Sequence, residues 1–188
     1  MVNTITYIGI GIGVVGLIWV ATTYNSLVGL RNDVKKSFSG IDVQLKRRTD
    51  LIPNLINTVK GYASHEKELL ENVTKARTSI MDASNSGDIK GMAQGENMLS
   101  GALKSVFAVA ENYPDLKANE NFLKLQEELG ETEDQIAASR RIYNENATYF
   151  NNKIEMFPSN VIAGMFNFKQ SDLFQATTKE REAVKVEF

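Results

Sequence analysis

The pattern of apolar and charged positions separates the beginning of the chain from the rest. Residues 5–23 read ITYIGIGIGVVGLIWVATT, without a single charge. About 20 apolar residues rise about 30 Å as a helix, which matches the hydrocarbon thickness of a bilayer. Tyr7 lies near one end, and Trp19 and Tyr24 near the other, as is typical of interfacial aromatic side chains. The pattern predicts a transmembrane anchor over residues 1–24.

The residues on either side of this segment indicate whether it stays in the mature protein and how it is oriented in the membrane. The alternative to a retained anchor is a cleaved signal peptide, but the segment lacks a basic n-region and a convincing small-residue cleavage site. Arg31 is the first charged residue, Lys35 and Lys36 follow, and Lys46 begins a further basic run. The positive-inside rule therefore predicts that the N-terminus lies outside the cell and that the rest of the chain is cytoplasmic.

Two glycines of the anchor, Gly9 and Gly13, have the G-x-x-x-G spacing. This spacing lets two helix backbones approach closely in lipid, although glycine is also generally frequent in membrane helices. A phosphate-binding role is excluded because no strand or loop is available within a bilayer segment. Gly9 and Gly13 are therefore candidate helix-pairing residues.

From residue 25 onward, apolar positions recur every three or four residues, which predicts amphipathic helices. The first stripe continues the anchor without an obvious breaker: Leu27, Leu30, Val34, Phe38, Ile41 and Leu45. Thr49 or Asp50 could cap a new helix with Pro53 in its first turn, and a kinked continuous helix is the alternative. A second helix is expected to end at the turn cluster 82–87, and a third to run from about Asp88 to Asn112.

The longest stripe follows a connector over residues 113–119, and Asn119 is the expected N-cap of its helix. Steps of three and four alternate along this stripe, as in a bundle or coiled-coil seam: Phe122, Leu125, Leu129, Thr132, Ile136, Ser139, Tyr143, Ala147, Phe150, Ile154 and Phe157. The predicted fold is all-α, with the transmembrane helix continuing into an antiparallel bundle of long helices over residues 25–157.

Residues 158–188 form the third predicted region, a short amphipathic segment and a polar tail. We expect the chain after Pro158 to cross to a neighbouring molecule or to touch the membrane surface. The last five residues, 184–188, alternate between apolar and charged side chains. We expect a frayed end there, and the alternative is a strand that adds to another chain.

Composition excludes several functional classes. The 188 residues carry 21 Lys and Arg against 23 Asp and Glu, so the basic excess of a nucleic-acid binder is absent. There is no cysteine, and the single histidine, His65, cannot complete an H-E-x-x-H motif because Leu69 occupies the fourth position after it. No phosphate loop or nucleophile elbow is present. We therefore expect no catalytic residue, cofactor, metal or small-molecule substrate.

Two clusters of polar residues stand out, one before Pro53 and one on the last long helix. Their candidate residues are Gln44, Arg48, Asp50, Glu133, Arg140, Tyr143 and Asn144. One interpretation is a buried or half-buried polar layer in which Arg48 or Arg140 pairs with a carboxylate such as Glu133, because such layers can determine helix register. The alternative is a patch that binds a partner or lipid headgroups. The acidic run from Glu127 to Asp134 is expected to be a solvated helix face.

These blocks carry a resemblance to a known family. The most specific matching block is residues 43–55, which read VQLKRRTDLIPNL. Further residues that match the family lie within 24–28, 59–66, 114–119, 125–133, 140–144 and 157–158. In these blocks the chain closely resembles the LemA family of bacterial membrane proteins, over nearly its whole length. The resemblance implies a short outer N-terminus, one membrane helix and a cytoplasmic bundle, but it implies no reaction.

The functional hypothesis is a non-enzymatic scaffold that self-associates at the cell membrane, with the lipid bilayer and a second copy of the chain as partners. An adaptor that presents a helical surface to a membrane protease, sensor or secretion component is the alternative. A third class, an enzyme using only the carboxylates of residues 127–133, would lose activity on their replacement without a change in melting.

Overall fold

The structure is a computed structural model that describes residues 2–174. Residues 184–188, for which a frayed end or alternatively an added strand is expected, lie outside the described residues. Those described form six helices and no strand: α1 (Val2–Tyr62), α2 (Lys67–Ser86), α3 (Ile89–Ala110), α4 (Pro114–Lys117), α5 (Glu120–Glu155) and α6 (Ser159–Met165). The all-α prediction, with the apolar N-terminal helix continuing into long helices, is confirmed.

Helix α1 is continuous through Pro53, so the alternative of a continuous helix is confirmed over a helix that restarts at Thr49 or Asp50. The prediction that α2 follows directly from the region of Pro53 is wrong, because the chain reverses only at residues 63–66. Ala63 is buried there, while His65 is exposed. A helix unbroken to residue 80 could not return along α1 to bury its own stripe. The reversal therefore depends on packing rather than on a glycine or proline signal.

The other predicted helix ends agree with local signals. Asn119 accepts a hydrogen bond from the backbone N–H of Phe122 at 3.0 Å, as predicted for the N-cap of α5. Gly87 ends α2 with a φ of 69°, in the left-handed region that favours glycine. Asp88 then caps α3 by accepting from the N–H of Gly91 at 3.0 Å.

The chain divides into two compact units that share α1 and α5. The first unit contains α1 up to Ser37 together with Asn144–Ser171. The second contains Phe38–Tyr143 and the segment that begins at Asp172.

In the second unit, α1, α2, α3 and α5 pack as an antiparallel bundle. Arg47 of α1 forms an ion pair with Glu131 of α5, and nearer the start of α1 Phe38 contacts Tyr143, so the two helices run in opposite directions. The helices bury their apolar stripes against each other: Ile41, Leu45, Ile52, Leu55, Val59, Leu70, Val73, Ile80, Met92, Leu99, Leu103, Val106, Phe122, Leu129 and Ile136. Each such side chain contributes about 1.5–3 kcal/mol on burial.

In the first unit, the later part of α5 and α6 pack beside α1. Buried apolar side chains come from all three helices, namely Leu27, Val34, Ala147, Phe150, Ile154, Ile162 and Ala163. The prediction that Phe157 continues the α5 stripe is wrong, since this side chain is 81% exposed. The reason is that α5 ends at Glu155, so Phe157 lies in the turn that follows the helix.

The beginning of α1 has the length and composition of a membrane span. It is one candidate among the described residues, and its most apolar 18-residue window has a mean hydropathy of 1.7. None of that window is buried inside the protein, whereas a core helix of a soluble protein would be mostly buried. These apolar side chains therefore face outward, as lipid-facing residues do.

Candidate functional site

Charged side chains occupy interior positions of the bundle in the second unit. Arg48 follows the buried Leu45 by three residues and precedes the buried Ile52 by four, so it stands in the apolar stripe of α1. Glu96 stands in the corresponding stripe of α3, four residues after the buried Met92. A charge in such a position must be paired, because moving an isolated ion into the interior costs several kcal/mol.

Glu96 lies between two arginines from different helices. Arg48 Nη1 of α1 lies 3.1 Å from Glu96 Oε1, and Arg140 Nη1 of α5 lies 3.3 Å from Glu96 Oε2. Arg48 and Glu96 are 3% and 2% exposed, and Arg140 is 14% exposed. Each carboxylate oxygen therefore accepts from a different helix, and Glu96 links α1 and α5 through α3.

Glu133 of α5 completes the cluster on its solvent side. Its Oε2 forms an ion pair with Arg48 Nη2, and its side chain is 44% exposed. Ser100 Oγ lies 2.8 Å from Glu133 Oε2 and 3.1 Å from Glu96 Oε1, so its one proton can serve either carboxylate. We refer to Arg48, Glu96, Glu133 and Arg140 as the charge cluster.

The charge cluster perturbs the ionisation of its most buried member. Burial raises the pKa of Glu96 above its usual range, and the nearby carboxylate of Glu133 acts in the same direction. Arg140 and Arg48 lower the pKa of Glu96 but do not cancel the effect of burial. Arg48 Nε and Gln44 Oε1 are buried without a hydrogen-bond partner among the described residues. The cluster thus stabilises the bundle less than fully satisfied polar groups would.

Tyr143, another predicted site residue, attaches the segment after residue 171 to the bundle. Its hydroxyl donates to the backbone carbonyl of Asp172 at 2.6 Å, and its ring lies 6.0 Å from that of Phe174. The guanidinium of Arg140 lies 5.7 Å from the same Phe174 ring. Burial, followed by the charge of Asp172, raises the pKa of Tyr143 to about 12.

The remaining predicted residues lie outside the charge cluster. Asp50 is exposed, and its nearest cation is Lys46 Nζ at 3.7 Å. Gln44 and Asn144 are half-buried, and Asn144 belongs to the first unit. Gly9 and Gly13 are exposed on the membrane segment. The structure therefore brings together three of the predicted polar residues, Arg48, Glu133 and Arg140.

The sequence analysis missed Glu96 and Ser100, which contact these three. A signal was present, since the apolar stripe of α3 passes from Met92 to Leu99 with no apolar side chain at position 96. A charged residue at the seam position of a regular stripe indicates a buried ion pair.

The chemistry open to this site is that of a structural layer. Two guanidinium groups face two carboxylates, and the most buried carboxylate, Glu96, is already occupied by both arginines. Among residues 2–174, no three His, Asp or Glu side chains come together as a metal site would require. The cluster connects α1, α3 and α5 at one level of the bundle.

Comparison with known proteins places this architecture in a family. The LemA family model matches residues 37–188. Protein LemA of Metamycoplasma hominis is 32% identical over 159 residues, which cover 84% of this chain and 71% of that protein. Magnetosome protein MamQ 2 of Paramagnetospirillum magneticum is 26% identical over 175 residues, covering 81% and 64%. Magnetosome protein MamQ of Magnetospirillum gryphiswaldense is 23% identical over 192 residues, covering 88% and 71%.

The chain thus spans between 64% and 71% of the length of these relatives, and none of their names denotes an enzyme. The apolar, outward-facing start of α1 and the helical bundle agree with a membrane location. Since the family match covers most of the chain, and a relative with 32% identity covers 84% of it, this protein belongs to the LemA family.

Proposed function

We propose that the protein is a non-enzymatic, single-pass scaffold that self-associates at the bacterial cell membrane. In this proposal the N-terminus lies outside and the helical bundle lies in the cytoplasm. The exposed Arg31, Lys35 and Lys36, which follow the membrane segment, support this orientation.

The observation that carries the proposal is the glycine face of the membrane segment. Gly9, Gly13 and Gly16 share one face of a helix with 3.6 residues per turn, whereas Gly11 lies opposite. An added methyl group at any of them would meet no atom within 4 Å. In lipid, such a face lets a second helix approach closely enough for backbone packing. The anchor also concentrates protomers in two dimensions, which strengthens weak lateral contacts.

The bundle of the second unit supports a structural rather than a catalytic role. Its buried arginine and glutamate, Arg48 and Glu96, bind each other and so are not directed at an open cleft. A layer of this kind keeps long helices in register at some cost in stability.

The test is the mass of the full-length protein in mild detergent and in nanodiscs. We expect discrete multimers, and we expect the double variant Gly9→Ile/Gly13→Ile to shift them toward monomer. The control is Gly11→Ile, which adds one isoleucine to the opposite face and should leave the multimers intact, whereas the single variant Gly13→Ile should already weaken them. Monomers of the unsubstituted protein in both media would refute self-association.

A second variant locates the interface. Multimers that survive deletion of residues 1–24 would place the main interface in the helical bundle, and the scaffold proposal would stand with that interface. Multimers lost with the anchor would assign the interface to the glycine face.

An adaptor function is the second candidate, favoured by one groove of the second unit. The groove has a volume of ≈ 630 Å³ and lies between the end of α1 and the beginning of α2. It combines apolar and basic side chains: Ile56, Lys60, Ser64, Lys67, Leu70, Glu71, Thr74 and Lys75. Recovery of one unrelated membrane protein in stoichiometric amount, lost in Lys60→Glu/Lys67→Glu but retained in Lys104→Glu, would favour the adaptor.

A further inference from the structure

The turn between α5 and α6 lies beside the end of the membrane segment, within the first unit. Trp19 and Thr23 of α1 line a groove of ≈ 290 Å³ together with Met156 and Phe157 of the turn. Slightly further along α1, the ring centroid of Tyr24 lies 4.6 Å from that of Phe166. The turn and α6 are therefore at the level at which the predicted span ends.

This region exposes large apolar side chains in one contiguous stretch of sequence. Phe157 is 81% exposed, Met165 71% and Met156 62%, and Val161 and Phe166 are each 50% exposed. We call these five side chains the α5–α6 corner. Soluble proteins rarely expose contiguous apolar patches beyond a few hundred Å², and larger ones usually mark a membrane or protein interface.

Helix α6 is two-sided in the way that an interfacial helix requires. Its buried side, formed by Ser159, Ile162 and Ala163, packs into the first unit. Val161 and Met165 lie on the opposite side and are exposed. Among residues 2–174, packing inside the unit therefore leaves the outward apolar side of α6 exposed.

The level of the corner along α1 identifies what covers it. From Trp19 to Tyr24 a helix rises only about 7.5 Å, and aromatic residues at this position of a membrane helix sit at the headgroup level. Amphipathic helices at that level bury their apolar face about 5–10 Å into the boundary between headgroups and acyl chains. A surface held beside the end of the span is thus held against the same bilayer.

Charged side chains near the corner are compatible with headgroup contact. The guanidinium of Arg31 lies 5.3 Å from the ring centroid of Phe168, and Lys169 is exposed next to it. Glu155 is also exposed but is hydrogen-bonded to the side-chain amide of Gln170. Arg31 and Lys169 outnumber Glu155, and Lys153 also lines the groove, so a basic excess adds to apolar burial at this level.

We infer that the α5–α6 corner is embedded in the headgroup boundary of the bilayer that the anchor crosses, as a second and peripheral membrane contact. This contact would fix the tilt of the protein relative to the membrane, which one spanning helix alone cannot do. It does not depend on self-association, since it requires only that the anchor spans the bilayer.

The natural absence of cysteine makes the test direct. In this test a nitroxide label is attached to the full-length variants Val161→Cys and Met165→Cys. The labelled proteins are placed in nanodiscs of phosphatidylcholine and phosphatidylglycerol. We expect each label to be more accessible to oxygen, which partitions into lipid, than to a water-soluble nickel chelate. The matched controls are Met98→Cys and Ile142→Cys, exposed apolar positions of the second unit that should show the reverse.

Two results would overturn the inference. Labels at Val161 and Met165 that meet the nickel chelate as readily as the controls would place the corner in water. Labels shielded from both reagents and broadened by a label on a second molecule would place another copy of the chain there.

A second variant tests the contribution of the apolar side chains. In Phe157→Asp combined with Val161→Cys, the label at 161 should become accessible to the nickel chelate, while the protein stays in the membrane through its anchor. An unchanged label in this variant would mean that the apolar corner does not hold the contact. Met98→Asp combined with Val161→Cys is the control that should retain the lipid signature.

Discussion

The guanidinium of Arg48 and the carboxylate of Glu96 face each other inside the bundle, with Nη1 and Oε1 3.1 Å apart. Neither side chain is more than 3% exposed, so water screens the pair little. The two charges come from α1 and α3, and Arg140 of α5 binds the same carboxylate. Replacing either member of the pair should therefore change the free energy of unfolding of the bundle.

Replacement of Glu96 by Ala should destabilise the bundle by about 3–5 kcal/mol, because it removes the buried partner of both Arg48 and Arg140 and leaves Arg48 paired only with the half-exposed Glu133. Urea unfolding followed by circular dichroism measures the change. The control is Glu131→Ala, which removes the exposed ion pair with Arg47 and should cost less than about 1 kcal/mol.

The double variant Arg48→Met/Glu96→Leu should recover most of the loss seen in Glu96→Ala, because it removes both charges and keeps apolar volume. Arg140 and Glu133 are the more exposed members of the cluster, at 14% and 44%. A loss in the double variant equal to the sum of the losses in Arg48→Met and Glu96→Leu would contradict a coupled pair.

The stability of the protein should depend on pH through Glu96. Its pKa is raised in the folded state, chiefly by burial, so the folded protein binds this proton more tightly than the unfolded chain does. The resulting contribution to the free energy of unfolding is complete below the unfolded pKa of about 4.3 and is lost as pH rises through the folded pKa.

The measurement is the difference in free energy of unfolding between the natural protein and Glu96→Gln. It is made at a series of pH values from about pH 4 to about pH 7. The natural protein should lose stability relative to the variant as pH rises over this range. A constant difference would show that Glu96 has the same pKa in both states.

Two glycines of α3 should respond oppositely to alanine. A Cβ at Gly95 would lie 2.9 Å from Ile80 Cγ1 and 3.0 Å from the Ile80 backbone nitrogen of α2, so the helices would have to separate. We expect Gly95→Ala to cost about 1–3 kcal/mol. Gly101 meets no atom within 4 Å, and its replacement should stabilise the helix by about 0.5–1 kcal/mol.

Thermal unfolding of both variants checks this pair. A gain in melting temperature for Gly95→Ala would mean that α2 and α3 do not approach each other so closely. A loss for Gly101→Ala would mean that this position is covered in the membrane-bound protein.

Tyr143→Phe should destabilise the second unit by about 0.5–1.5 kcal/mol, because it removes the hydrogen bond to the Asp172 carbonyl and keeps the ring. Tyr149→Phe, at a position 60% exposed, is the control and should change little. The effect should itself depend on pH. The phenol has a pKa of about 12 in the folded protein, so its stabilising effect is complete below pH 10.0 and is lost as pH approaches 12.

Urea unfolding of both tyrosine variants, repeated between neutral pH and pH 12, measures the size of the effect and its loss. An equal stability of Tyr143→Phe and the natural protein at neutral pH would contradict a hydrogen bond that attaches the segment after residue 171.

Local pattern in the sequence determined much of this protein. The uncharged residues 5–23 predict the membrane segment, the spacing of three and four predicts the helices, and Asn119 and Asp88 mark where α5 and α3 begin. These signals are short-range, because helix periodicity and capping depend on residues within about one turn of each other. Arg48 and Arg140 became candidates as members of the two polar clusters, and Glu133 as the carboxylate expected to pair with them.

Only the tertiary structure decided the reversal at residues 63–66, the exposure of Phe157 and the meeting of Glu96 with Arg48 and Arg140. No residue near 63–66 forces a helix to end, and Phe157 continues the α5 spacing after the helix itself has stopped. Glu96 lies 48 residues from Arg48 and 44 from Arg140 in sequence. Which helix faces which, and at what register, results from burying all the stripes together, and that is a property of the whole bundle rather than of any segment.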